Sequence, residues 1–411
     1  EQSPAEIFET FVTKYLDNPS EAEKISLLFR FIQYVERQVV LFDAIEDAAF
    51  PIVNNMEGKS SLRAIKETAE SEGKTKELKD FLENFKVRTV LTAHPTQFYP
   101  GSVLGIITDL TEALKSNNHI VIKDLLAQLG KTPFFKKEKP TPFDEAVSLI
   151  WYLENVFYPT ASEMVHYLQK NIFKGNELKN DVLNLGFWPG GDRDGNPFVT
   201  TEITLKVAER LRTSILKCYY TDIRKLKRKL TFTGVDVIIA ELENKLYRSV
   251  FYSQGEIFIS LEEFKSQLQN IKKIIIEKHQ SLYVDEVDLL LNKVNLFGFH
   301  FATLDIRQNS KIHKAVFQDI VQKEKRLFPE DYFNLSETAK IDILSKASAQ
   351  LKASDFDNEI TKETISSIEA IRTIQENNGE LGCNRYIISN NESALNVMET
   401  LAMFHLCDWN N

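Results

Sequence analysis

A histidine and two arginines each stand where a short apolar run gives way to a polar turn. His94 follows Val87-Arg88-Thr89-Val90-Leu91-Thr92-Ala93 and precedes Pro95. A histidine there titrates near neutral pH and can act as acid, base or donor to an oxyanion; the alternative is a buried structural histidine. Arg193 lies within Gly190-Gly191-Asp192-Arg193-Asp194-Gly195-Asn196-Pro197. Glycines let backbone N–H groups approach an anion, and an arginine among them adds charge and fixed donors. The alternative is a structural turn in which Asp192 and Asp194 cap N–H groups and hold Arg193. Arg307 comes just after the run Val294–Leu304 and Asp305. Its guanidinium can take a phosphate or carboxylate bidentately, or pair structurally with Asp305 or another carboxylate.

Such residues need rigid elements behind them. The β-branched segment 87–93 predicts a strand, as do the apolar runs 182–188, 294–304 and 385–389. Long helical patterns separate these four, so the spacing predicts βα units and a parallel sheet. In parallel α/β barrels, residues just past a strand's C-terminal end line the active face. Ser3…Glu6 and Ser20…Glu23 predict capping boxes, the second opening a long helix that runs up to Pro51. Helix is also predicted from Ser61 to about Phe85, over most of Gly101–Lys170 apart from Pro133 and the Lys136–Pro140 loop, over Thr201–Leu230, and over Val284–Lys293 and Glu392–His405. The expected organisation is a helical region over 1–86 and a partial barrel of about four βα units, with long helical insertions, over 87–411. No internal repeat is present.

The 411 residues carry a formal net charge of −9, which argues against a nucleic-acid surface. An anionic substrate would need a local basic pocket in this acidic chain. No apolar run reaches membrane-spanning length and no signal-peptide pattern is seen, so no membrane partner is expected. Cys218, Cys383 and Cys407 have no metal-ligand spacing and suit reduced thiols in the cytoplasm. The basic run Arg224–Lys229 reads as favourable charge at a helix C-terminus.

Gly190–Pro197 resembles the GGDRDGNP signature of phosphoenolpyruvate carboxylases. Leu91-Thr92-Ala93-His94-Pro95-Thr96-Gln97 is similar to the family's LTAHPT(E/Q) segment, and Phe297-Gly298 through Leu304-Asp305-Ile306-Arg307-Gln308-Asn309-Ser310 to its FG…LDIRQ segment. The three stand in the family's order. The resemblance implies a mainly α protein built round a TIM-type parallel α/β barrel, tetrameric at full length, that joins phosphoenolpyruvate to bicarbonate with Mg²⁺ or Mn²⁺. The products, oxaloacetate and phosphate, make it an anaplerotic lyase feeding the tricarboxylic acid cycle. It further implies that His94 is the catalytic histidine and that Arg307 and Arg193 contact substrate. Asp192, Asp194, Asn196, Asp305 and Gln308 would support the active-site loops. The family's metal-binding carboxylates, catalytic lysine and Gly/Arg-rich loop belong to its second half. The chain therefore reads as the N-terminal half, with the C-terminal half absent, no metal ligands of its own, and no activity alone.

There are departures. The family's paired arginines after TAHPTQ are here Pro100 and Gly101, and its arginine four residues before Arg307 is Thr303. They leave open a divergent, non-catalytic paralogue acting as a helical scaffold. Another phosphoenolpyruvate-using barrel enzyme is a third reading, against which the lack of a phosphohistidine signature counts.

Overall fold

Side-chain caps open the first helices. In a computed structural model describing residues 3–92, 99–134, 140–175, 178, 182–194, 196–252 and 258–409, the Ser3 hydroxyl accepts the Glu6 N–H and the Glu6 carboxylate accepts the Ser3 N–H at 2.7 Å. Ser20 and Glu23 repeat this reciprocal cap. The second helix, Glu21–Val53, runs through Pro51 instead of stopping before it. Proline there forfeits one bond in the last turn, and the Asn54 N–H still closes that turn on the Phe50 carbonyl.

Two compact units form, and they do not follow chain order: 1–65 with 96–139, and 66–95 with 140–411. In the first, Val40 and Ala44 of Glu21–Val53 pack against Val103, Ile106 and Leu110 of Gly101–Lys115 and Leu125 and Leu129 of His119–Lys131. Arg37 adds bonds to the Leu129 and Thr132 carbonyls.

In the second unit the long Thr201–Lys227 helix buries Val207, Ala208, Leu211, Ile215 and Tyr219 in the main core. Thr200 caps its start by accepting the Ile203 N–H. The Tyr219 hydroxyl, deep in that core, donates to the Gly298 carbonyl at 2.8 Å.

The described residues of this unit hold short strands, all paired in parallel. β1 (Val87–Leu91) pairs with β2 (Leu183–Phe187), which pairs with β3 (Thr303–Leu304); β4 (Ile306–Asn309) pairs with β5 (Tyr386–Ser389). A bridge between Asp192 and Arg307 links the chain beyond β2 to β4. Register sets Leu91, Phe187 and Leu304 side by side, so the first three strands end at one level. The architecture is mainly helical with a few parallel strands.

The run 294–304 departs from expectation. The Val284–Phe297 helix takes its first four residues, and strand begins only at Thr303. Val287, Leu290, Leu291, Val294 and Phe297 recur at helical spacing and are buried together, so the helix keeps its apolar stripe to the end. Gly298, at φ 47°, then turns the chain out of the helix.

Candidate functional site

The site is built where β2 runs out. After Phe187 the chain makes a turn, closed by the Gly191 and Asp192 N–H groups on the Trp188 carbonyl, and then rejoins β4: the Arg307 N–H donates to Gly191 O and the Arg193 N–H to Arg307 O, each at 2.9 Å. The two arginines of the site are therefore locked to each other through backbone.

The described glycines in and before this turn serve close packing. A Cβ at Gly191 would stand 2.2 Å from the Asp305 carbonyl oxygen, and one at Gly190, where φ is +81°, 2.5 Å from a Val207 methyl. A Cβ at Gly186 would lie 2.5 Å from Nη2 of Arg88. These approaches admit the protein's own atoms.

Arg307 donates from Nη1 to Asp192 Oδ2 at 2.5 Å, and its Cζ lies 3.9 Å from the centroid of the Trp188 ring. Its partner is thus Asp192, not the adjacent Asp305. Its buried Nε has no hydrogen-bond partner among the described residues. Arg193 reaches neither flanking aspartate; it donates to the carbonyl of Glu363 at 3.1 Å and to that residue's carboxylate at 2.8 Å. The same carboxylate oxygen accepts the Thr201 N–H and hydroxyl. Partial burial pushes the Glu363 carboxyl up, but the Thr201 N–H, the Arg193 charge and their side-chain bonds outweigh it and hold it below its ordinary value.

The supporting residues order the turn. Asp192 Oδ1 accepts the Asp194 N–H, Asp194 accepts from the Asn309 amide, and Asn196 accepts the Phe198 N–H. The buried Gln308 uses its side-chain oxygen on the next N–H, that of Asn309. Arg193, Asn196, Gln308 and Glu363 line a cleft of about 430 Å³.

Asp305 is wholly buried. Arg88 donates to its Oδ1 at 2.7 Å and the Trp188 indole to its Oδ2 at 3.0 Å. The buried Cys383 thiol is pushed up to about 12 by burial and by the Asp305 charge, which keeps it protonated. Two participants escaped the sequence reading. Arg88 had a visible signal, being a charge inside a β-branched run; Glu363 had none, sitting in an ordinary amphipathic helix. His94 and the Lys136–Lys139 cluster lie outside the described residues.

Among the described residues no three His, Cys, Asp or Glu side chains gather as a metal-ligand set. The donors among the described residues do not fit Mg²⁺ or Mn²⁺. No helix among the described residues is long and apolar enough to cross a membrane.

A mainly helical chain with parallel strands, ending in an arginine-bearing turn, is the class of protein this geometry defines. The phosphoenolpyruvate carboxylase family model matches residues 22–250 and 239–411. The chain belongs to the phosphoenolpyruvate carboxylase family. It is 28% identical over 287 residues to a phosphoenolpyruvate carboxylase of Shewanella sediminis, covering 59% of this chain and 33% of that protein. To the enzyme of Shewanella halifaxensis it is 26% identical over 303 residues, covering 63% and 34%, and to that of Shewanella loihica 28% over 285 residues, covering 59% and 32%. The chain spans about a third of the length of the curated relatives it matches.

Proposed function

We propose that this chain is the N-terminal portion of a phosphoenolpyruvate carboxylase, its strands part of a TIM-type barrel within 87–411, with His94, Arg307 and Arg193 serving the reaction. The observation that supports the reading is the common level of β1, β2 and β3, beyond which the described chain goes on to Arg193 and Arg307. In that reaction a bicarbonate oxygen attacks phosphorus and the enolate of pyruvate leaves, giving carboxyphosphate. Carboxyphosphate breaks down to CO₂ and phosphate, and the enolate carbon attacks CO₂ to give oxaloacetate. Arg307 meets the phosphoryl oxygens, where fixed donors are worth most, by exchanging Asp192 for substrate. His94 assists carboxyphosphate breakdown. A divalent cation would be held by carboxylates outside this chain, and the whole enzyme would be a tetramer in the cytoplasm.

A second reading, a non-catalytic helical scaffold, is favoured by one observation: both candidate arginines are already committed to carboxylates of their own chain. The assay couples oxaloacetate to malate dehydrogenase with phosphoenolpyruvate, bicarbonate and Mg²⁺ or Mn²⁺. It uses the 411-residue chain alone, the chain plus the family's second half in trans, and the product of the native reading frame. The expected result is no turnover from the chain alone, and turnover from the complete protein that His94→Asn abolishes without lowering its unfolding midpoint. Silence of the complete protein supports the scaffold, and near-normal carboxylation by His94→Asn rejects the histidine's role.

A further inference from the structure

We propose that Arg88 is a positioning residue for the Arg307 guanidinium, acting at a distance through Asp305 and Trp188. The inference rests on the reading of Arg307 as an anion ligand and names what holds it in place.

The chain of contacts crosses three strands. Arg88 stands on β1, whose register sets Val90 opposite Gly186 of β2. Its guanidinium passes over Gly186, where any side chain would collide with it. On the far side it meets Asp305, between β3 and β4, at 2.7 Å. Arg88 keeps 23% of its side-chain surface and Asp305 none, and among the described residues Arg88 is the one cation that pairs with this carboxylate. The other carboxylate oxygen takes the Trp188 indole N–H at 3.0 Å. The ring so fixed carries the Arg307 guanidinium on its face, 3.9 Å from the centroid.

Each link has a physical consequence. Without Arg88, Asp305 is a buried carboxylate with no paired cation among the described residues, and its side chain turns toward water or is left unfixed. Either response weakens or removes the acceptor that orients the indole. A tilted indole no longer presents its face to Arg307, and the guanidinium loses its cation–π support and fixed direction. Nothing else among the described residues bonds the Trp188 indole N–H.

The test uses the complete protein with Arg88→Met, Arg88→Lys and the double variant Arg88→Met/Asp305→Asn. Two readouts are followed: the Trp188 indole N–H resonance, assigned with Trp188→Phe, and the dissociation constant for phosphoenolpyruvate. Arg88→Met is expected to shift the indole resonance, speed its solvent exchange, and weaken binding at least 10-fold. Arg88→Lys should lie between. The double variant removes both buried charges yet keeps an amide oxygen for the indole, so it should return binding to within about 3-fold of wild type and restore indole protection. A merely stabilising arginine would leave the affinity of the folded variant unchanged, which would overturn the proposal. So would failure of Asp305→Asn to rescue. If wild type binds no phosphoenolpyruvate, the reading of Arg307 falls; the indole response to Arg88→Met then still decides whether Arg88 holds Trp188.

Discussion

Arg193 and Glu363 are 170 residues apart in the chain and meet at 2.8 Å. The contact joins the glycine-rich turn to the Glu359–Asn378 helix, and the same carboxylate caps the start of the Thr201–Lys227 helix. One side chain therefore anchors both ends of the segment 193–201. Glu363→Leu removes the ion pair and the cap together and should cost about 2–3 kcal/mol. Glu363→Gln keeps a neutral acceptor and should cost about 1 kcal/mol. Urea midpoints at constant slope measure both; equal losses would mean that the neutral acceptor contributes nothing and the charge carries the whole effect.

Substitutions at two glycines should differ in sign. Gly191→Ala places a Cβ 2.2 Å from a backbone carbonyl oxygen, which has little room to move, and should cost more than about 3 kcal/mol. Gly105 sits inside the Gly101–Lys115 helix with nothing within 4 Å of an added Cβ. Gly105→Ala should stabilise by about 0.5–1 kcal/mol. Thermal unfolding of both variants checks the pair, and a tolerated alanine at 191 would disprove the close approach.

Local features were legible in the sequence where one physical signal dominated. The caps at Ser3 and Ser20 were plain because Ser-x-x-Glu has a single satisfactory arrangement at a helix start. β1 and β2 were legible from short β-branched or apolar runs ending in turn residues. The run 294–304 misled because an apolar stretch satisfies a helical stripe and a buried strand alike, and tertiary packing of Val294 and Phe297 chose the helix. The candidate site was legible in its arginines but not in their partners. Glycine, aspartate and arginine adjacent in sequence suggested local pairing, whereas Arg193 turns to Glu363 and Asp305 to Arg88. No periodicity encodes such long-range pairs.

Acid should loosen this fold well before its carboxylates are exhausted. Burial holds His300 and His313 down to about 4 from an ordinary 6.5. Both are neutral in the native state, and His313 bonds the Tyr386 hydroxyl at 2.9 Å. Between pH 6.5 and 4 the unfolded chain binds more protons than the native one, so stability is full above 6.5 and is lost as pH falls toward 4. Each histidine should account for about 3 kcal/mol across that window. His313→Gln, which can still reach Tyr386, should flatten the dependence by about that amount. An unaltered pH slope in urea titrations would show that His313 is protonated at little cost in the folded protein.

The Asp192–Arg307 pair gives the last expectation. Asp192 competes for the guanidinium that the proposed reaction needs, so an anion must displace a carboxylate bonded at 2.5 Å and slightly more buried than its partner, at 12% against 18% exposure. Asp192→Asn should keep the turn, because an amide oxygen can still accept the Asp194 N–H that Oδ1 now takes. It puts no negative charge beside Arg307. Two effects of opposite sign follow. The folded state loses a part-buried ion pair and should be less stable by about 1–3 kcal/mol. The freed guanidinium, still stacked on Trp188, should bind inorganic phosphate about 3–10-fold more tightly, because binding no longer has to break the pair. Titration of phosphate by calorimetry, alongside urea unfolding, reads the two separately. If phosphate affinity is unchanged or falls while the variant remains folded, Asp192 is not a competitor for the anion, and Arg307 is held for structure alone.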